Sequence, residues 1–403
     1  MRFIHVDSKK YIVRLVVLFG LVFTPAVFAQ GYTIGPAPSW VKPAQIPDSD
    51  KLSQQNNSDG EAYLLVDFQW QVGESQHSQY RHIVTKALNT TGVSEASQIS
   101  IDFDPVYETL VLHTINIQRD GRIIDRIDRT RINLIQREED LDYQIYDGSK
   151  TLSIFIDDIR TGDIVEYSYT IKGANPVFSG HFAENLSMQW NVPVARLHYR
   201  VLWPSTRTLH IRNQGTDIEP VKNTSGQYIE YEWNRDNIKE VIADSNIPDW
   251  YDPYPVVYLS DIASWYEVTE WAWPLYQPII NTPMQQTITA AIMEQASTPE
   301  KRTLAALRFV QDEVRYLGIE MGESSHKPNT PDKVIEQRFG DCKDKSRLLV
   351  SLLQGMGIEA SSVLVNTLGD LKVKKPLPTP AIFDHAIVLV RIDGKNYWLG
   401  SHA

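Results

Sequence analysis

The sequence predicts an α+β protein, with an N-terminal β-sandwich domain followed by a helix-rich second domain. Three observations point there. Residues 62–241 run strand after strand, with β-branched and aromatic residues at period two and turn residues between the runs. Around Ile247-Pro248-Asp249-Trp250-Tyr251-Asp252-Pro253-Tyr254-Pro255 the composition shifts to proline and aromatics. From about residue 284, apolar residues recur at helical spacing. The chain's 403 residues are enough for two domains. Hydrophobic content of 42% and charged content of 22% are those of an ordinary globular protein. The net charge of -11, with no basic stripe, argues against nucleic acid as a partner. The expected boundaries are 1–29 for an export signal, 30–60 for a linker, 61–245 for the sandwich, 246–283 for an inter-domain segment and 284–403 for the second domain.

The N-terminus has the layout of a signal peptide. Arg2, Lys9, Lys10 and Arg14 are positive, residues 15–23 are apolar, and Pro25-Ala26-Val27-Phe28-Ala29 ends on a small residue. The apolar run is short for a membrane span, which needs about 20 residues. Cleavage after Ala29 would place the protein in the periplasm or outside the cell, with no membrane contact unless the segment is retained. Residues 30–60 are rich in Pro, Ser, Asn and Gln and read as linker, with Trp40 and Val41 as packing candidates.

The strands follow in order. Residues 62–70 are rich in β-formers, and 110–118 and 122–127 flank the hairpin signal Asp120-Gly121. Val165, Tyr167, Tyr169 and Ile171 alternate with polar residues, and 197–203 and 228–233 continue the pattern. The sandwich shows no nucleophile, metal-ligand spacing or phosphate loop. His77, His82, Asp157 and Asp158 read as structural or solvated. Trp265, Trp271 and Trp273 are expected to pack in a core.

In the second domain, Thr298-Pro299-Glu300 caps a helix carrying Ala305, Leu307, Phe309, Val310 and Val314 on its apolar side. A short helix is expected over 332–338. Then comes Arg338-Phe339-Gly340-Asp341-Cys342-Lys343-Asp344-Lys345-Ser346, with the only cysteine of the chain. Leu348, Leu349, Leu352, Leu353 and Met356 follow at helical spacing, and Gly357 is a stop. Cys342 is therefore expected in the first turn of a helix buried along one side. Unpaired N–H groups, the helix dipole and the charges of Lys343 and Lys345 should favour thiolate and pull the thiol below its free value of about 8.5. An unpaired cysteine in an exported protein points to reactivity.

A thiolate nucleophile needs a base near neutrality, and His385 opens a strand downstream. If Asp393-Gly394 is a two-residue turn, position 400 is the diagonal neighbour of His385 on the same face. A carboxylate there could hold the imidazole, but the residue is Gly400. Asp384 should point to the opposite face. Asp341 reads as a helix cap, and Tyr316 as a candidate for the site wall. No metal or cofactor is expected.

These residues resemble a known family. Arg338 to Lys345, followed by Phe383-Asp384-His385 and Tyr397-Trp398-Leu399, is similar to the core of bacterial transglutaminase-like proteins in the papain-like cysteine superfamily. Val310-Gln311-Asp312-Glu313-Val314-Arg315-Tyr316-Leu317-Gly318-Ile319 matches the same pattern. Asp158-Ile159-Arg160-Thr161-Gly162-Asp163-Ile164-Val165-Glu166-Tyr167 and Gly173-Ala174-Asn175-Pro176-Val177-Phe178 resemble the uncharacterised β-rich domain that precedes such cores in exported bacterial proteins. The resemblance implies a Cys-His-Asp triad performing acyl transfer on an amide, with Cys342 as nucleophile and His385 as base. The family places Asp directly after the run ending at Leu399, where this chain has Gly400. Relatives also continue beyond Ala403. The expected second domain is thus an incomplete papain-like transglutaminase core, with Gly400-Ser401-His402-Ala403 as a non-native tail.

The expected function is an exported cysteine acyl-transfer enzyme that crosslinks or hydrolyses peptide amides, with a peptide or protein as substrate. Backbone N–H groups at the helix start would hold the oxyanion. The alternative is a non-catalytic binding protein with a vestigial core, which Gly400 favours. A membrane-anchored adaptor requires the N-terminal segment to be retained.

Overall fold

A long sheet is the frame of the N-terminal half. In the computed structural model, which describes residues 31–48, 60–137, 144–243, 246–247, 251–367 and 376–401, that sheet has nine strands. Their order is Tyr32–Ile34, Glu108–Arg119, Ile164–Gly173, His77–Ala87, Glu61–Val72, Val194–Pro204, Tyr228–Ile238 and Val221–Ser225, with Arg122–Asp125 hairpinned onto Glu108–Arg119. Neighbours are antiparallel except at two pairs. Tyr32–Ile34 runs parallel to Glu108–Arg119, and Val194–Pro204 runs parallel to Glu61–Val72. The export signal expected over 1–29 lies outside the described residues.

Two short sheets cover one face of the long one. Tyr169, Arg81, Phe68 and Tyr199 stand opposite one another across four strands, so they share a face. At one end Tyr199, Trp203 and Trp233 pack with Leu186, Val257 and Leu259 from the sheet of Ala183–Ser187, Val256–Ser260 and His210–Gln214. At the other end Tyr169, Leu112 and Ile115 pack with Ile101, Leu152 and Ile154 from the sheet of Gln98–Phe103, Lys150–Phe155 and Arg131–Gln136. The period-two pattern thus produces sheet-on-sheet packing, as the sequence predicts. Val256–Ser260 lies inside the segment read as inter-domain, yet it is the central strand of one short sheet.

The opposite face of the long sheet is polar and buried. Asp67 is 0% exposed and sits 2.7 Å from His198 Nδ1, while Gln69 Nε2 donates to it at 3.0 Å. Such groups require partners when water is excluded. Residues read as linker supply some of them. Arg200 Nη1 donates to Trp40 O at 2.7 Å, and Gln69 exchanges bonds with Lys42 N and O at 3.0 and 2.7 Å. Residues 31–48 are therefore partly a strand and partly a strap, not a free connector; 49–59 lie outside the described residues. His82 meets Glu166 at 2.9 Å and Asp158 meets Arg119 at 3.2 Å, which are structural pairings.

The C-terminal half is built around the helix Cys342–Gly355. Helices Pro283–Gln295, Pro299–Glu313 and Pro331–Gln337 pack on it, and so does the sheet of Glu359–Val365, His385–Ile392 and Lys395–Leu399. Leu348, Leu349, Leu352 and Leu353 share a core with Val310, Val334, Val388 and Val390. Burial from Cys342 to Leu353, interrupted only at Arg347, makes this a central helix rather than one buried along a single side. The reason is that helices and sheet enclose it together. Of the three tryptophans near residue 270, Trp271 is buried and donates to Val177 O at 2.7 Å, whereas Trp273 is 64% exposed. The expectation of core packing therefore fails for Trp273, and Trp265 is 39% exposed with its ring edge on Phe383.

The described residues form one compact unit, and backbone bonds join the halves. Ile145–Tyr146 pairs in parallel with Gly318–Ile319, through Gly318 N to Gln144 O at 2.9 Å and Glu320 N to Tyr146 O at 2.7 Å.

Candidate active site

The start of the Cys342 helix is fixed locally. Arg338, at φ 60°, ends the preceding helix in the left-handed region. Asp341 is extended and caps the next helix, its carboxylate accepting from Lys343 N and Asp344 N, each at 3.1 Å. Asp344 turns back to Asn329, accepting from its N at 2.6 Å and its Nδ2 at 3.1 Å. Gly340 is required by close approach, since a Cβ there would stand 2.7 Å from Asp344 Cβ.

Cys342 follows as the first helical residue and is 7% exposed. The Ala386 N–H donates to its sulfur, and Ser346 Oγ donates to Ala386 O at 3.1 Å. The helix start is thus stitched to the strand His385–Ile392 at the residue next to His385. Cys342 and His385 line one cavity of about 910 Å³, together with His326, Lys343, Glu320 and Tyr316. Ile145, from the N-terminal half, lines it as well.

The electrostatics reverse the expectation for the thiol. Burial pushes Cys342 up to about 11, and the nearby Asp341 carboxylate adds to the rise. Lys343 pulls the other way but does not prevail, because its ammonium is shared between Asp341 Oδ2 at 2.5 Å and Glu320 Oε1 at 2.9 Å. Lys345 is buried, with its Nζ on Val314 O at 2.7 Å, and burial lowers its own pKa. The free helix-start donors are also fewer than expected. The N–H groups of Lys343 and Asp344 belong to the Asp341 cap, and Lys345 N bonds Asp341 O at 3.0 Å. Only the Cys342 N–H is unclaimed by the cap.

Downstream, the hairpin has the predicted turn. Asp393 and Gly394 have φ 49° and 75°, Ile392 faces Lys395, and Val388 faces Leu399. Continuing that register brings position 400 beside the His385 end of the strand. There Gly400 offers a carbonyl, which accepts from Gln311 Nε2 at 3.0 Å. Ser401 is buried and bonds Ser346 Oγ at 3.1 Å and Cys342 O at 3.4 Å. Asp384 precedes the strand, and its carboxylate accepts from Thr367 N and Oγ1, each at 2.8 Å.

His326 was not singled out by the sequence. It lies in a polar loop with no periodicity, and its ring contacts Phe178 and Trp271 are distant in sequence. Burial, followed by the charge of Lys343, pulls its pKa down to about 4. Glu320 carries no local signal either, because its partner Lys343 lies 23 residues away. Among the described residues, no group of three or more His, Cys, Asp or Glu converges as a metal site, and no helix is long and apolar enough to cross a membrane.

Comparison with known proteins agrees with this architecture. The family described as a domain of unknown function with solved structure, DUF3857, matches residues 74–242. The transglutaminase-like superfamily matches residues 286–399. No curated protein matches the chain. The crystal structure of a "putative protease" from Parabacteroides distasonis superposes with a TM-score of 0.70 at 15% identity, covering 85% of this chain and 67% of that one. At that identity the likeness concerns the fold alone. The periplasmic domain of TgpA from Pseudomonas aeruginosa aligns over 72% of this chain and 86% of its own at 13% identity, but with a TM-score of 0.23, which carries no argument. The chain is thus a DUF3857 domain followed by a core that belongs to the transglutaminase-like superfamily.

Proposed function

We propose that the protein is an exported cysteine acyl-transfer enzyme acting on peptide amides, with Cys342 as nucleophile and His385 as base. The observation that carries this reading is the shared cavity. The sulfur opens the central helix, the imidazole opens the adjoining strand, and Ala386 ties the two elements together. Cys342 rests as a thiol, so its proton passes to His385 as the sulfur–carbon bond forms. The carbon–nitrogen bond then breaks, and His385 returns the proton to the leaving amine. The resulting thioester goes to an amine, giving a crosslink, or to water, giving hydrolysis. Export rests on the N-terminal sequence pattern and is tested by N-terminal sequencing, with Gln30 expected as the first residue.

The second reading, a binding protein with a vestigial core, is favoured by Gly400 and by the raised thiol. The two readings separate on acylation by p-nitrophenyl acetate, followed by mass spectrometry at Cys342 and trapping with hydroxylamine. Catalysis predicts an acetyl group on Cys342 that turns over, is absent in Cys342→Ser, and forms at least about 100-fold more slowly in His385→Ala. Equal acylation in the wild type and His385→Ala supports the second reading.

A further inference from the structure

Besides Ile145, which lines the cavity, the DUF3857 half supports its wall from behind through Asn175, which bonds the lining residue Ser325. Asn175 is 8% exposed, and its Oδ1 accepts from Val177 N at 3.0 Å, which fixes the orientation of the amide. Its Nδ2 donates to Gly322 O and to Ser325 Oγ, both at 3.0 Å. Ser325 Oγ therefore receives a hydrogen bond and has one proton to give. His326 Nδ1, at 3.0 Å, is placed to accept that proton. With Nδ1 accepting, the ring proton sits on Nε2. Phe178 packs edge-on to the imidazole at 4.8 Å and Trp271 at 6.0 Å, while Tyr276 Oη holds the His326 carbonyl at 2.9 Å. The ring is held on several sides in a wall of the Cys342 cavity. It stays uncharged at neutral pH because burial and the Lys343 charge depress its pKa.

A site for acyl transfer needs donors aimed at the oxygen on which charge develops. The Asp341 cap has taken two of the backbone donors that the helix start could have offered. We propose that His326 supplies a donor in their place, its Nε2–H holding the carbonyl oxygen of the acyl group bound over Cys342, and that Asn175 sets the tautomer through Ser325. This rests on the acyl-transfer reading above and adds a specific role for the N-terminal domain. Asn175 is a positioning residue; His326 is the group that touches substrate.

Two measurements test it. The first is the ¹⁵N–¹H correlation spectrum of the histidine-labelled full chain, with His326 assigned by its loss in His326→Gln. The Nε2–H tautomer is expected in the wild type, and mixed tautomers in Asn175→Ala. An Nδ1–H tautomer in the wild type overturns the proposal. The second compares p-nitrophenyl acetate, which develops an oxyanion, with iodoethane, which has no oxygen. In His326→Phe, acylation of Cys342 should fall by about 10- to 100-fold, somewhat below the loss seen for a dedicated oxyanion donor. Alkylation by iodoethane should stay within about twofold of the wild-type rate. Acylation at the wild-type rate, or equal slowing with both reagents, overturns the proposal. A wild-type chain that is not acylated at Cys342 at all refutes the parent reading instead, and the spectrum still decides the tautomer.

Discussion

Raising the pH across the Cys342 thiol gives a quantitative prediction. Burial and Asp341 place the thiol at about 11. At pH 8 the thiolate fraction is then on the order of 10⁻³, against roughly one quarter for free cysteine with a pKa of about 8.5. Ionisation alone slows alkylation by about 200-fold. The more basic sulfur is also more nucleophilic, and a Brønsted slope of about 0.4–0.5 over this interval restores roughly tenfold. The net expectation is an iodoacetamide rate at pH 8 about 20-fold below that of free cysteine, before any steric term. It should climb about tenfold per pH unit up to pH 10. The assay is mass-spectrometric labelling under pseudo-first-order conditions, with Cys342→Ser as the blank. A rate that has already levelled off below pH 8 would mean a preformed thiolate, and would refute the balance drawn here between burial, Asp341 and Lys343.

Two further outcomes follow from the site. Gly340→Ala would drive a methyl group to 2.7 Å from Asp344 Cβ, and Asp344 is pinned by Asn329; a loss of about 1–3 kcal/mol is expected as a lower urea midpoint, and an unchanged midpoint would show that Asp344 can yield. His326 has a folded pKa near 4 and an ordinary unfolded one, so the unfolded state binds the proton first as pH falls; stability on the order of 3 kcal/mol should drain between about pH 6.5 and pH 4. His326→Gln should flatten that part of the profile, as read by urea unfolding at pH 7 and pH 4.5, and an equally steep decline in the variant contradicts the assignment.

Local signals in the sequence carried far where the relevant chemistry was itself local. Asp341 before Cys342 is read as a cap because a short carboxylate bonds the N–H groups just ahead of it, and it does so. Asp393-Gly394 is read as a tight turn because both positions need positive φ, and the resulting register brings position 400 to the His385 end. The period-two runs gave the face on which Tyr169 and Tyr199 pack. The sign of the Cys342 shift is not legible in the sequence because its largest cause is burial of the thiol, which only the fold produces; the adjacent Asp341 and the more distant Glu320 add to it against Lys343. Glu320 meets Lys343 at 2.9 Å, and its own backbone N–H is held by Tyr146 O from the other half. His326 was silent for the same reason, since the Asn175 amide that organises its loop reaches Ser325 from 150 residues upstream. The strap formed by residues 40–45 could not be read either, because its bonds satisfy polar groups inside the sheet and leave no periodic mark in its own sequence.

The parallel rung between Ile145–Tyr146 and Gly318–Ile319 has a consequence for how such a protein can change over generations. A lineage that exchanged the first half for an unrelated module would strip two main-chain bonds from the second and remove Ile145 from the lining of the Cys342 cavity. The second segment's cavity is therefore completed by the first, and a replacement for the first would have to restore both bonds and that side chain.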